Sequence, residues 1–183
     1  DDNSWREWTI DSQLTLHADR LSSPSHSVEI VTRSYIVSQQ RWYPPRAAIV
    51  IFSGITLPDG SQILPGRRPT GPRIEVLADS ITEGIAVYVN DGSQNVAQVS
   101  DATLSYAYLA AMHFNADLRF SALSGQGIMT AGNGGVPESR NTFAYVYSGV
   151  ENDSWQADLV IVNYGTNDGN TSEKTMTAYY AFY

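Results

Sequence analysis

Three short strand-forming runs, from Ile74 to Leu77, from Leu118 to Leu123 and from Leu159 to Asn163, each give way at once to a loop rich in glycine and small polar residues. Between the first two lies a stretch from about Thr103 to Phe114 with apolar or small residues at helical spacing. Strands alternating with helical periodicity predict an α/β fold built on a parallel sheet. A doubly wound, flavodoxin-like sheet would set these strands in the order 2-1-3, with all three following loops at one end, where ligands bind in open α/β sheets. The run Leu159-Val160-Ile161-Val162 is apolar at every position and carries no charge or proline, so it reads as a central strand that expects a neighbour on each side.

Before these strands the pattern differs. Short alternating segments, Trp8-Thr9-Ile10, Leu14-Thr15-Leu16, Val28-Glu29-Ile30-Val31 and the apolar run from Ala48 to Phe52, predict strands of an antiparallel, sandwich-like unit. Pro44-Pro45 and Pro58-Asp59-Gly60 punctuate them as turns. Residues 65–72 combine prolines, which block ladder hydrogen bonds, with turn-favouring glycines, and read as a linker. The expected organisation is therefore a β-rich segment 1–64, a linker 65–72 and an α/β domain 73–183. Within that domain, Gly132 to Pro137 is expected to be a mobile loop, and residues 171–183 to open a further helix.

Composition removes several functions. A formal net charge of −8 repels a phosphate backbone and excludes nucleic acid as a routine partner. No apolar stretch approaches the roughly 18 residues of a membrane span, and the first residues have neither the basic end nor the apolar core of a signal peptide. With no cysteine there is no disulfide, thiolate zinc site or cysteine nucleophile. The histidines His17, His26 and His113 offer no metal-binding pair on one helical face, and no metal or cofactor is expected.

The segment Ala78-Asp79-Ser80-Ile81-Thr82-Glu83-Gly84 puts a hydroxyl where the first strand yields to a helix. A serine becomes a nucleophile only when a base takes its proton and oriented donors hold the resulting oxyanion, so position matters more than residue type. A blander role is also open: Asp79 or Ser80 could simply cap the helix. Ser124-Gly125-Gln126-Gly127 could be a glycine turn. A dinucleotide fingerprint there would need glycine at position 130, which is threonine. Gly165-Thr166-Asn167-Asp168-Gly169 could be a turn that uses the αL tolerance of Asn, Asp and Gly.

In this order the three segments resemble the successive sequence blocks of the SGNH, or GDSL, hydrolase superfamily of serine esterases. The resemblance covers residues 72–183 and departs at Ala78, where the family has glycine. It implies that Ser80 is the nucleophile, with the Ser80 and Gly125 backbone N–H groups and the Asn167 amide as oxyanion donors; Gly127 is the second choice for the glycine. The β-rich segment resembles the jelly-roll module that precedes such domains in carbohydrate esterase family two, a likeness supported by Phe52-Ser53-Gly54-Ile55-Thr56-Leu57. The implied function is hydrolysis of O-acyl, chiefly O-acetyl, esters on polysaccharide outside the cell. Two alternatives stand beside it: a catalytically inactive glycan-binding or structural protein on this fold, and a lipid or small-ester hydrolase of the same superfamily. The family's final block, carrying the general-base histidine and usually an aspartate, has no counterpart here, since all three histidines precede the third block. Further polypeptide is therefore expected beside the strand at 159–163, bringing the base, and this chain alone is expected to be inactive.

Overall fold

The computed structural model describes residues 6–10, 13–17, 25–66, 68–88, 96–169, 177 and 181. The chain divides into two units, Asp1–Val31 and Thr32–Tyr183. The second contains a three-stranded parallel sheet made of β1 (Arg73–Ala78), β2 (Asp117–Ala122) and β5 (Leu159–Asn163), in the order β2-β1-β5. That is the 2-1-3 order that the strand pattern predicts. The register is continuous: Ala78 faces Ala122 on one side and Asn163 on the other, so the three strands end level with one another.

The central strand owes its place to its apolar residues. Ile74, Val76 and Ala78 are buried against Ala107 and Ala111 of helix α2 (Tyr106–Phe114) and against Ala116 and Ala122. Ala107 and Ala111 lie four apart, on one face of the helix, and their small side chains let α2 approach β1 closely. Full burial of a side chain such as Val76 contributes about 2 kcal/mol. The helix begins later than its periodicity suggests. Ser105 caps it, its Oγ accepting the Tyr108 N–H at 3.3 Å, and Ala102–Leu104 forms a separate 3-10 turn. It stops at Asn115, which adopts φ +49°, and the Asn115 carbonyl accepts the N–H of Gly71 at 2.8 Å. A Cβ on Gly71 would collide with the carbonyls of Phe114 and Asn115, which explains the glycine.

The crossover from β2 to β5 contains no α-helix. It consists of loops, a 3-10 turn at Ser139–Asn141, and a hairpin of β3 (Tyr145–Tyr147) and β4 (Val150–Glu151). The sequence pattern does not announce this hairpin. Gly132 to Pro137, expected to be loose, is tied down instead: the Gly132 N–H donates to Val136 O, the Asn133 N–H to Ser124 O, and the Arg41 N–H to Gly134 O, all within 2.9 Å.

None of the described residues before Arg73 lies in a strand, contrary to the expectation of a β-rich segment. The reason is physical, because alternation specifies a strand only where a partner supplies the ladder. Without one, Ile51 stays 75% exposed. Part of this region is bound instead to the α/β unit: the Ala102 N–H donates to Arg33 O at 2.9 Å, and Ser34 Oγ to Ala97 O at 2.6 Å. The helix expected over 171–183 falls outside the described residues, apart from helical positions at 177 and 181. Among the described residues no helix is long and apolar enough to cross a membrane.

Candidate active site

Ser80 opens α1 (Ser80–Glu83), a single helical turn directly beyond the end of β1. Capping belongs to Asp79, whose Oδ1 accepts the Ile81 N–H at 3.0 Å. The Ser80 hydroxyl is left half-buried and without a hydrogen bond among the described residues, and its N–H is one of the first-turn donors that have no intrahelical acceptor. Ala78 causes no strain. It is fully buried at the end of a strand and is not among the residues with positive φ, so the family's glycine is not needed for conformation here. Gly84 ends the turn at φ +77° with its N–H on Ser80 O, and a Cβ there would strike the Asp101 carbonyl. The Tyr106 hydroxyl oxygen ties the turn to its surroundings, accepting from Thr82 Oγ1 at 2.7 Å and from Asn163 Nδ2 at 2.9 Å.

Gly125 occupies the third position of a turn closed by the Gln126 N–H on Leu123 O at 3.0 Å, with φ +75°, a geometry that favours glycine. The Ser124 carbonyl is held by the Asn133 N–H at 2.8 Å. Because the peptide is planar and trans, fixing that oxygen also fixes the direction of the Gly125 N–H on the other side. Among the described residues this N–H has no acceptor, whereas the Gly127 N–H is used by Thr130 O at 2.9 Å. Of the two glycines, Gly125 is therefore the one with a donor to spare.

Asn167 follows β5 in a turn closed by the Asp168 N–H on Gly165 O at 3.1 Å. Its Nδ2 donates to Gln126 O at 2.9 Å and, more weakly, to Asp79 Oδ2 at 3.3 Å. The three loops thus meet: Asn167 touches the residue before Ser80 and the residue after Gly125. Gln126, fully buried, is the hub. Its Nε2 donates to Pro137 O and Thr142 Oγ1, and its Oε1 accepts from Tyr164 Oη at 3.1 Å. Burial holds the Tyr164 phenol above its ordinary pKa, so it remains a neutral donor. Burial also raises Asp79; the Ile81 N–H opposes this and the neighbouring Asp168 charge adds to it.

Sequence reasoning assigned no role to Gln126, Asp168 or a buried ion pair beneath the nucleophile turn. In that pair Arg41 Nη1 donates to Glu83 Oε1 at 2.9 Å and to Tyr35 Oη at 2.6 Å, with the guanidinium 5.0 Å from the Tyr35 ring centre. Burial, then the Glu83 carboxylate, pushes the Tyr35 phenol upward. Only the sheet's fold reveals these partners, since Arg41 and Glu83 are 42 positions apart.

His113 lies in the last turn of α2, just before β2 begins, and so at the opposite end of the sheet from Ser80. His17 and His26 belong to the other unit. Among the described residues no group of three or more His, Asp or Glu could hold a metal ion. A cavity of about 500 Å³ runs along the free edge of β2, between Tyr35, Glu83, Phe120 and Asn152. It is separate from the meeting point of the three loops, since neither Ser80, Gly125 nor Asn167 lines it.

No family model matches the chain. Among curated proteins it is 33% identical over 144 residues to the cellulase/esterase CelE of Acetivibrio thermocellus, covering 71% of this chain and 17% of that protein. It is 27% identical over 186 residues to the acetylxylan esterase / glucomannan deacetylase of Cellvibrio japonicus, covering 91% of this chain and 49% of that protein. The chain thus spans about half the length of one of these relatives and less than a fifth of the other. Among solved structures, a family two carbohydrate esterase from Cellvibrio japonicus superimposes with a TM-score of 0.58 at 26% identity, covering 67% of this chain and 40% of that one.

Proposed function

From a chain whose homologues and structural neighbours are family two carbohydrate esterases, we propose the chemistry of a serine esterase that removes O-acyl groups, chiefly acetyl, from polysaccharide. In the proposed reaction Ser80 Oγ attacks the ester carbonyl carbon as a general base takes its proton. The carbonyl electron pair moves onto oxygen, which is held by the Ser80 N–H, the Gly125 N–H and Asn167 Nδ2. Collapse of the tetrahedral intermediate expels the sugar hydroxyl, reprotonated by the same base, and leaves an acyl-serine. Water, deprotonated by the base, then attacks that ester and releases the carboxylic acid and Ser80. The long contact from Asn167 to Asp79 is the one that yields when the oxyanion forms.

The general base is proposed to come from further polypeptide beside β5, as the superfamily resemblance implies. Among the described residues β5 has a bonded neighbour on one side only, and Leu159, Val160 and Ile161 are all exposed. A jelly-roll module over 1–64, the linker 65–72, a doubly wound SGNH domain from 73 onward, and action outside the cell on a substrate too large to enter complete the reading. The observation that carries it is the meeting of the three strand-end loops through Asn167. The test is acetate release from acetylated xylan or glucomannan by the full-length natural protein and its Ser80→Ala variant. Release by the wild type alone supports the reading. Equal release overturns it, and binding without release by either points to the glycan-binding alternative.

A further inference from the structure

The side chain of Asp168, next to Asn167, crosses to the loop after β2. Its Oδ2 accepts the Ile128 N–H at 2.9 Å and its Oδ1 accepts the Met129 N–H at 2.8 Å. Each carboxylate oxygen thus takes one of two successive backbone donors, an arrangement only a carboxylate satisfies at both ends. Gly127 leaves room for it, since a Cβ there would sit on the Asp168 carboxylate. The Gly127 backbone is itself fixed, with its N–H on Thr130 O and its carbonyl accepting the Ser139 N–H, both at 2.9 Å. One loop therefore presents a rigid, notched backbone and the other inserts an acceptor into it.

We propose that Asp168 is a positioning residue: its carboxylate locks the Asn167 loop onto the Gly125 loop, so that the side-chain and backbone oxyanion donors are held at a fixed separation before substrate arrives. This rests on the esterase reading above and adds to it a residue that touches no reacting atom. Oxyanion donors act through preorganisation, and a displacement of about 1 Å is enough to cost a large part of the rate. The Asn167 contact to Gln126 O alone cannot supply that rigidity, because it engages the same amide that must serve the oxyanion.

The test uses the full-length natural protein with para-nitrophenyl acetate as substrate and Ser80→Ala as the blank. Asp168→Ala should lower kcat by roughly 10- to 100-fold, within the scale set by losing one donor, and leave KM within about threefold. Asp168→Asn keeps one acceptor and turns a donor toward the other N–H, so it should fall between Asp168→Ala and wild type. Gly127→Ala should lower kcat in the wild-type background by displacing the carboxylate, yet cost nothing further in the Asp168→Ala background; that non-additivity marks a shared interaction. If Asp168→Ala does not fold, Asp168→Asn and Gly127→Ala carry the test alone, and both must lower kcat more than they raise KM. Wild-type kcat in the Asp168 variants, with hydrolysis still dependent on Ser80, overturns the clamp and leaves the esterase reading intact. Hydrolysis undiminished in Ser80→Ala overturns the esterase reading, and the catalytic meaning of the clamp with it.

Discussion

Asn167 and Asp79 stand 88 positions apart in the chain, yet the amide of one donates to the carboxylate of the other across 3.3 Å. The carboxylate is 1% exposed and shares its surroundings with the charge of Asp168, so it is raised above the ordinary carboxylate range. Folded protein then holds more proton at this site than unfolded chain does. The contribution to stability is complete below the unfolded pKa and is lost as pH rises through the folded one. At neutral pH, Asp79 is a stability cost kept for its contacts.

Asp79→Asn should therefore hold or raise the melting temperature at pH 7, while an amide oxygen continues to cap the Ile81 N–H. It should also flatten the fall in stability as pH rises above about 4, the ordinary carboxylate value. The new NH2 would face the Asn167 NH2, two donors in opposition, and activity should drop by roughly tenfold, about 1.4 kcal/mol in the barrier. Melts at several pH values paired with kcat/KM check both halves, and a steeper pH dependence in the variant would refute the assignment.

Asn167→Ala separates role from stability. Turnover by the full-length natural protein should fall about 10²- to 10³-fold, the usual scale for an oxyanion donor, with the melting temperature little changed. Unchanged turnover in a folded variant would reduce the Gly165-Thr166-Asn167-Asp168 segment to a plain turn.

The Arg41–Glu83 pair is a different kind of contact. Both side chains are buried, and Arg41 Nε, Arg41 Nη2 and Glu83 Oε2 have no hydrogen-bond partner among the described residues. Removing one charge strands the other, so Glu83→Gln should cost about 3 kcal/mol in a denaturant titration. Replacing both by apolar residues, Arg41→Met with Glu83→Leu, should cost clearly less than either single change. Additive losses would show that the pair is not the reason these residues are there.

How much was readable beforehand depends on the range of the signal. Strand β5 was legible to the residue from its unbroken apolar run, and β1 and β2 to within one residue, because strand-forming runs and the glycine-rich turn signals that follow them agree there. The start of α2 was missed by about three residues, because helical spacing runs through Ser105 whereas its Oγ caps the helix there. The alternating run at residues 28–31 and the apolar run at 48–52 form no strand among the described residues, because such runs describe a face, whereas a strand also needs a ladder partner. In the candidate site, Ser80, Gly125 and Asn167 were singled out through their strand-end positions and a family resemblance. Gln126 and Asp168 were quoted within those same segments yet given no role, because their partners at Thr142, Tyr164, Ile128 and Met129 become neighbours only when the crossover closes.

The outer edge of β5 leads to a prediction about association. Val160 is 51% exposed on a strand with one bonded neighbour among the described residues, a template for pairing with another chain. Residues 1–183 prepared alone should sediment as oligomers or aggregate and show negligible esterase activity, while Val160→Lys should shift the population toward monomer. A monodisperse, active monomer of these residues would contradict the expectation of further polypeptide at this edge.

The most direct measurement is covalent labelling of Ser80. The full-length natural protein and its Ser80→Ala variant are treated with a fluorophosphonate and weighed intact, with peptide mapping of any adduct. An activated serine flanked by oxyanion donors should take up one label on the peptide containing Ser80, and the variant should take up none. Equal labelling of both, or an adduct mapped to another residue, would contradict the assignment of Ser80 as nucleophile.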